Sequence, residues 1–190
     1  VKGGAPEEIT YIGKPHVGTD ILKDVVKNIR KKIIQLGGEV RFSSKLEYKN
    51  KENGKVKSII VNGEEISCEA VILALGHSAR DTYEMLYEVG LEMTQKAFAI
   101  GVRIEHPQDL INKSQYGKFH NHPKLKAADY KLTYQCKESR RGVYSFCMCP
   151  GGVVVAAASE EGRVVTNGMS YHARDLENAN SALVVQVHPE

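Results

Sequence analysis

Hydrophobic residues recur at helical spacing in the first part of the chain. Between Thr19 and Leu36 they form one stripe, and the opposite face is rich in lysine and arginine. Thr19 suits the N-cap of a helix, Asp20 suits its first turn because it opposes the helix dipole, and Gly37-Gly38 is a stop signal. The spacing therefore predicts an amphipathic helix over residues 19–36.

Strand-like patterns follow this helix. Glu39–Phe42 alternates as a short strand does, and Asn-Gly pairs at 53–54 and 62–63 predict turns in a polar meander. Ala70–Leu75 is almost continuously apolar and is followed by a glycine, which is typical of a strand covered on both faces. Because a helix alternates here with strands, we predict α/β layers for residues 1–78.

The pattern changes after residue 78. Residues 79–190 begin with a short amphipathic helix at Asp81–Val89 and contain a helical turn at Pro107–Lys113. The rest is dominated by short β patterns, which predict a β-rich second part. The predicted strands are Phe98–Ile104, Leu132–Cys136, Val143–Met148, Val153–Ala157, Val164–Thr166 and Leu183–Val187.

Composition narrows the functional classes. The 190 residues are 42% hydrophobic with a net charge of +3, and there is neither a membrane-length apolar run nor a signal-peptide core. Nucleic acid is not an expected partner, because the basic faces lack interleaved aromatic residues. We therefore expect a cytoplasmic protein that does not bind membranes. The chain begins with Val1 rather than methionine, which favours an origin in a longer polypeptide.

Four cysteines are expected to be reduced thiols: Cys68, Cys136, Cys147 and Cys149. No metal site is predicted, because a zinc site needs further ligands at short spacing. On a regular strand Cys147 and Cys149 point to the same face, so we expect both to be small buried hydrophobic residues. A redox role for the pair is the alternative.

Polar residues follow several predicted strands and are candidates for a site. His77 and Ser78 come directly after the apolar run, where ligands of α/β sheets bind. Arg103 either pairs with Glu105 or faces an anionic ligand. His16, before the first helix, is either a surface residue or lies near a ligand at the helix N-terminus. A dense polar segment late in the chain contains Asn167, Met169, Ser170, His172 and Arg174.

Six segments carry a resemblance to a known family. The chain resembles the central portion of bacterial FAD-dependent dehydrogenases, broadly described as NAD(FAD)-utilizing proteins, within the two-domain flavoproteins of glutathione-reductase type. The segments are Lys14–Thr19 (KPHVGT), Ala74–Asp81 (ALGHSARD), Phe98–His106 (FAIGVRIEH), Ala128–Leu132 (ADYKL), Phe146–Gly152 (FCMCPGG) and Asn167–Arg174 (NGMSYHAR).

This resemblance implies a domain plan and a cofactor. Residues 1–78 would be the middle of a Rossmann-like FAD-binding domain, and residues 79–190 an inserted mixed β-sheet domain that covers the flavin. The GxGxxG phosphate loop would lie before residue 1, and a later flavin-contacting strand after residue 190. FAD is thus expected in the longer parent, with NAD(P)H as a further option, and weak or absent FAD binding by these residues alone. The missing parts of the parent would be partners of this chain.

The same resemblance, together with the positions above, assigns the candidate residues. Leu46, Gly76, His77 and Ser78 are expected to bind the cofactor, Gly76 because a residue without a β-carbon allows close backbone approach. His172 is the expected acid–base group, since histidine titrates near neutral pH, and Arg103 its catalytic companion. The residues expected to face a small-molecule substrate are His16, Asn167, Met169, Ser170 and Arg174.

Two functions follow as hypotheses. The first is the central part of an FAD-dependent oxidoreductase of unknown substrate, which would be inactive as an isolated segment. The alternative is a non-catalytic binding module that kept a flavoprotein-like fold and lost the cofactor.

Overall fold

The first predicted helix and most of the predicted strands form. A computed structural model describes residues 1–52 and 55–189. Its helices are α1 (Thr19–Gln35), α2 (Arg80–Glu88) and α3 (Gln108–Tyr116), with short 3-10 turns at Glu7–Thr10 and Gly117–Phe119. Its strands are β1 (Leu46–Glu52), β2 (Lys55–Val61), β3 (Glu64–Ser67), β4 (Phe98–Pro107), β5 (Thr133–Gln135), β6 (Gly142–Cys149), β7 (Gly152–Ala156), β8 (Thr166–Ser170) and β9 (Asn178–Val187).

Packing divides the chain into two units, residues 1–38 with 96–190, and residues 39–95. We call them the large unit and the small unit. This division differs from the boundary at residue 78, which was drawn from the alternation of helix and strand along the chain. The functional assignment of residues 1–78 and 79–190 remains a prediction.

The large unit is built on a four-stranded antiparallel sheet with the order β4-β9-β6-β5, and on the separate hairpin β7-β8. Strands β4 and β9 pair over their full length, from Phe98 opposite Val187 to Pro107 opposite Asn178. Small and apolar side chains form its buried core: Ile111, Ala128, Cys149, Ala179 and Val184.

The small unit is a three-stranded antiparallel sheet, β1-β2-β3, with α2 beside β1. Leu86 of α2 is buried. The predicted turn at Asn62-Gly63 joins β2 to β3, and Asn62 adopts the left-handed φ of +50° that asparagine tolerates. The turn predicted at 53–54 lies outside the described residues.

Two predicted strands do not form in the described structure. Glu39–Phe42 and Ala70–Leu75 are outside the strands of the sheet, and Ile72 is 92% exposed. A parallel strand gains its hydrogen bonds only from neighbouring strands, and every strand pair among the described residues is antiparallel. The chain is therefore mixed α/β with antiparallel sheets, and the described residues do not form a Rossmann-like parallel sheet.

Other elements shift by a few residues. The strand predicted at Val164–Thr166 is displaced to β8, and the helix predicted at Pro107–Lys113 begins one residue later and extends to Tyr116. Neither helix α1 nor any other helix in the two described ranges is long and apolar enough to cross a membrane.

Candidate functional site

The N-terminus of α1 packs against the segment that follows β8. Gly18 precedes the helix with a φ of +89°, and a β-carbon at this position would collide with the backbone nitrogen of His172. That nitrogen donates a hydrogen bond of 2.9 Å to Oδ1 of Asp20, and the Thr19 hydroxyl donates to the carbonyl oxygen of Ser170. Glycine therefore permits the contact between the helix start and residues 170–174.

This contact brings two candidate histidines together. The His16 ring nitrogen Nε2 lies 3.0 Å from the carbonyl oxygen of Tyr171, and His172 Nδ1 lies 3.1 Å from that of Val17. Because a carbonyl only accepts, both of these ring nitrogens carry hydrogen. The two rings are nearly parallel, with centroids 6.5 Å apart. The bond at Nδ1 leaves His172 Nε2 to exchange a proton, and this atom lies 4.0 Å from Oε1 of Glu8.

A cavity of about 750 Å³ opens beside the two histidines, and we call it the histidine cavity. Its wall carries charges of both signs. Nζ of Lys14 and Oδ2 of Asp129 form an ion pair at 2.8 Å. Nζ of Lys126 lies 3.9 Å from Oε1 of Glu8. Arg174 also lines this cavity. Such a wall suits a polar ligand with several hydrogen-bonding groups.

The pKa of Asp20 reports on the contact between the helix and the loop. The hydrogen bond from the His172 N–H is the main cause that lowers this pKa from its ordinary value of 3.8. Because the pKa of Asp20 is lower in the folded state than in the unfolded state, its carboxylate stabilises the fold at pH values above the unfolded-state pKa. That stabilisation is lost as the pH falls through the folded-state pKa.

We therefore expect Asp20→Asn to reduce the dependence of unfolding free energy on pH at pH values below about 4. Urea unfolding followed at several acidic pH values measures this dependence. Asp24→Asn, at an exposed position of the same helix, is the control and should keep the wild-type dependence. Equal pH dependence in Asp20→Asn and the wild type would contradict the assignment.

Arg103 lies in a second polar cluster, inside the large unit. Its Nη1 donates hydrogen bonds to Oδ1 of Asn180 at 2.7 Å and to the carbonyl oxygen of Cys147 at 3.2 Å. Asn180 is completely buried. Gly168 makes room for this cluster, because a β-carbon there would collide with Asn180 Oδ1 and Arg103 Nη1. The predicted alternative, a pair between Arg103 and Glu105, does not form: Glu105 instead accepts from Asn178.

Three buried donors lack an acceptor in the part of the chain that the structure describes. They are Nε of Arg103, Nε of Arg174 and Nδ2 of Asn180. Within those residues, neither guanidinium lies within ion-pair distance of a carboxylate. Donors without partners and cations without counter-ions are costly in a protein interior. These three donors are therefore suited to hydrogen bonds with an acceptor-rich or anionic group.

A second cavity, of about 380 Å³, lies between the helix start and the strands, and we call it the cysteine cavity. It is lined by Pro15–Thr19, Leu22, Cys147–Pro150, Gly168–Ser170 and Arg174. Arg174 thus borders both cavities, and its backbone has a left-handed φ of +54°. This conformation is uncommon for a residue with a side chain.

A β-bulge separates the two cysteines of this cavity. Phe146 of β6 pairs with Ala182 and Cys149 pairs with Asn180, so that Cys147 and Met148 lie opposite Ser181 alone. Cys147 is exposed and Cys149 is buried. The prediction that both are buried on one face is therefore wrong for Cys147, because a bulge breaks the alternation of a regular strand. Among the described residues no cluster of three or more metal-ligating side chains is present.

The predicted cofactor residues lie in the small unit. Leu46 is half-buried and lines an apolar cleft of about 420 Å³ with Val71–Leu73 and Leu75. Gly76 has a φ of +69°, and a β-carbon there would meet no atom within 4 Å. His77 and Ser78 are exposed, and their side chains are 3.3 Å apart. Gly76 therefore has open space beside its backbone.

The structure brings together some of the predicted site residues. His16, His172 and Arg174 share the histidine cavity, while Met169 and Ser170 line the cysteine cavity. Arg103 lies behind Gly168 of that second cavity. Asn167 is exposed, and its side chain accepts a hydrogen bond from the next backbone nitrogen. These positions are compatible with the predicted roles but do not test them.

Sequence reasoning missed two residues of the site. Asn180 is the buried partner of Arg103, and Glu8 faces His172. In the sequence Asn180 stands between alanine and serine in the segment NANSA, directly before the strand predicted at Leu183–Val187. Glu8 carried no signal, because it lies in a loop-like segment far from His172 in sequence.

Comparison with known proteins relates part of this chain to flavoproteins. Residues 97–190, which contain β4 to β9, match the family model for FAD-dependent protein, C-terminal domain-like. This part of the chain is therefore similar to the C-terminal domain of FAD-dependent proteins. An uncharacterized protein of Clostridium beijerinckii is 71% identical over all 190 residues. The chain spans only 36% of the length of that relative.

Proposed function

We propose that this chain is the central part of an FAD-dependent oxidoreductase acting on a small, anionic substrate. The observation that carries the proposal is the pair of guanidinium groups, Arg103 and Arg174, that lie without carboxylate partners in the described structure. Arg174 lines both cavities, and Arg103 lies next to Gly168 of the cysteine cavity. Positive charge and free donors at a cavity favour negatively charged or acceptor-rich ligands. The family match of residues 97–190 supports a flavin as the cofactor in this proposal.

The donors of the large unit fit the chemistry of a flavin and its substrate. A flavin ring presents carbonyl oxygens and ring nitrogens that accept hydrogen bonds, and the three unpartnered donors are suited to such groups. FAD, when bound, would supply hydride transfer, while the protein supplies orientation and charge. In this proposal Arg103 provides positive charge, Arg174 binds the substrate, and His172 holds or releases a proton at Nε2.

The small unit, taken by itself, carries the residues that we propose as cofactor contacts. The open space beside Gly76 would admit close approach of FAD to the backbone, next to His77 and Ser78. Leu46 would contribute through its strand. In this proposal residues 1–78 would be the middle of a Rossmann-like domain completed by other parts of the parent, and residues 79–190 would be the inserted domain.

Exposed apolar surfaces support an origin in a longer polypeptide. Ile72 is exposed in the segment predicted as a covered strand, as are Phe98, Ile100 and Val102 along β4. Contiguous apolar surface of this kind normally marks a contact with another segment or partner. The relative from Clostridium beijerinckii is long enough to supply such segments. We propose that other parts of the parent cover Ile72 and its neighbours and complete a parallel sheet there.

Gly76 allows a matched test of the cofactor assignment. We expect the complete polypeptide to contain FAD, and we expect Gly76→Ala to weaken FAD binding by roughly tenfold or more, because a side chain would occupy the approach to the backbone. FAD absorbance after purification and titration with free FAD measure both quantities. The control is Gly63→Ala, because Gly63 also has a positive φ and open space around its backbone.

The control separates backbone strain from ligand approach. Both glycines have left-handed backbones, with φ values of +69° and +78°, so both substitutions carry a similar strain. Equal loss of FAD in the two variants would contradict the role of Gly76. A complete polypeptide that takes up no FAD on reconstitution would overturn the oxidoreductase proposal and favour the binding-module alternative.

A further inference from the structure

We propose that Cys147 and Cys149 are a thiol–disulfide redox pair that exchanges two electrons with a disulfide or dithiol substrate entering the cysteine cavity. This inference does not depend on FAD. It concerns the two sulfur atoms at the end of β6, which lie at the same cavity beside the start of α1.

The β-bulge gives the two thiols different environments. Cys147 is exposed, whereas Cys149 is only 7% exposed. One sulfur is therefore accessible to a substrate, and the other lies behind it. This is the arrangement needed when one thiol attacks a substrate disulfide and the second resolves the product.

The backbone holds the pair close together. Cys147 has a left-handed φ of +48°, and the Cys149 sulfur lies 3.4 Å from the Cys147 carbonyl oxygen. Strained backbone conformations of this kind persist where the surrounding structure imposes them, and they are common at functional sites. Two glycines leave the space: a β-carbon at Gly168 would lie 2.9 Å from Cys149 Sγ, and one at Gly152 would lie 3.2 Å from its Cβ.

The pKa of Cys149 indicates which of the two thiols attacks the substrate first. Burial is the main cause that raises the pKa of Cys149 to about 11, and the neighbouring Cys147 adds to this effect. Cys149 is thus a thiol at neutral pH, and the accessible Cys147 is the attacking group. The Arg103 guanidinium favours the Cys149 thiolate. Once Cys147 is bound to a substrate sulfur, it carries no negative charge that would oppose ionisation of Cys149. The positive charge of Arg103 remains and favours the Cys149 thiolate.

The exchange balances in two steps. Cys147 loses its proton to solvent and its thiolate attacks one sulfur of a substrate disulfide, that disulfide bond breaks, and the leaving thiolate takes up a proton. Cys149 then loses its proton to solvent and attacks Cys147 Sγ, which releases the second substrate thiol. The substrate disulfide has gained two electrons and two protons, and the pair has lost them to form an intramolecular disulfide. A dithiol substrate reverses both steps.

Glutathione is a suitable probe for the wild-type chain. After equilibration in a mixture of oxidised and reduced glutathione, acid quenching, alkylation and peptide mapping should find a disulfide between Cys147 and Cys149. In Cys149→Ser the resolving thiol is absent, so a glutathione adduct on Cys147 should accumulate roughly tenfold above its wild-type level. In Cys147→Ser the remaining Cys149 is buried, so it should carry no glutathione adduct.

Two further cysteines give matched controls. Cys68→Ser and Cys136→Ser remove half-exposed thiols outside the cysteine cavity and should leave the disulfide between Cys147 and Cys149 unchanged. The proposal is overturned if the wild type carries a glutathione adduct on Cys147 as abundantly as Cys149→Ser does, or if peptide mapping finds Cys147 and Cys149 unlinked under oxidising conditions. Mapping of the wild type decides the question even where a variant fails to fold.

Discussion

Replacing Gly18 with alanine is expected to lower the free energy of unfolding by about 2–4 kcal/mol. Two causes act together. The φ of +89° is unfavourable for any residue with a β-carbon, and that carbon would collide with the His172 backbone nitrogen. The helix start and the segment after β8 would have to separate, which removes the hydrogen bond between that nitrogen and Asp20.

Urea unfolding followed by circular dichroism measures this loss. Gly13→Ala is the matched control, because Gly13 lies in the same N-terminal segment and a β-carbon there would meet no atom within 4 Å. We expect that variant to stay within about 0.5 kcal/mol of the wild type. If Gly18→Ala were equally mild, the close contact between α1 and His172 would not hold the large unit together.

The same substitution also reports on the site. His16 and His172 face each other only because the loop before α1 and the loop after β8 are in contact. A separation of the two loops would open the histidine cavity. In the complete polypeptide, Gly18→Ala should therefore change ligand binding as well as stability, although Gly18 has no side chain to contact a ligand.

Local patterns predicted the elements that depend on local forces. The apolar stripe of α1 and the alternation in β4 gave elements within a few residues of the observed ones, Thr19–Gln35 and Phe98–Pro107. Helix capping and period-two alternation are properties of a single segment. Ala70–Leu75 has an equally strong pattern but forms no strand here, because its hydrogen bonds must come from other strands.

The site was predictable only in its residue types. The density of polar residues in Asn167–Arg174 predicted an irregular loop, but Asn167–Ser170 lies in strand β8. Of the remaining polar residues, His172 and Arg174 line the histidine cavity. Their partners could not be predicted, because Asn180 and Glu8 approach through tertiary contacts. The exposure of Cys147 was missed for a similar reason: a bulge is set by the pairing of β6 with β9 and has no fixed signature within β6 itself.

Arg103→Met is expected to cost about 2–3 kcal/mol of unfolding free energy. The change removes two hydrogen bonds and leaves the Oδ1 of the fully buried Asn180 without its donor. A buried acceptor without a partner costs more than the hydrogen bond itself contributes, because its lost hydration is not replaced. Arg103→Lys should be milder, since its ammonium keeps the positive charge and N–H donors, although it lacks the fixed planar geometry of the guanidinium.

Urea unfolding of these variants measures the cost, and Arg141→Met, at an exposed position next to β6, is the control. The unpartnered Nε of Arg103 extends the test to function, because a fold selected only for stability would give that donor an acceptor. A ligand bound to the native state raises its stability by mass action.

Added FAD should therefore stabilise the wild-type complete polypeptide more than Arg103→Met, while Arg103→Lys keeps most of the gain. Thermal unfolding with and without FAD measures these gains. If FAD stabilises Arg103→Met as strongly as the wild type, Arg103 is a structural residue. Arg174 is then the one remaining arginine proposed to bind the anionic substrate.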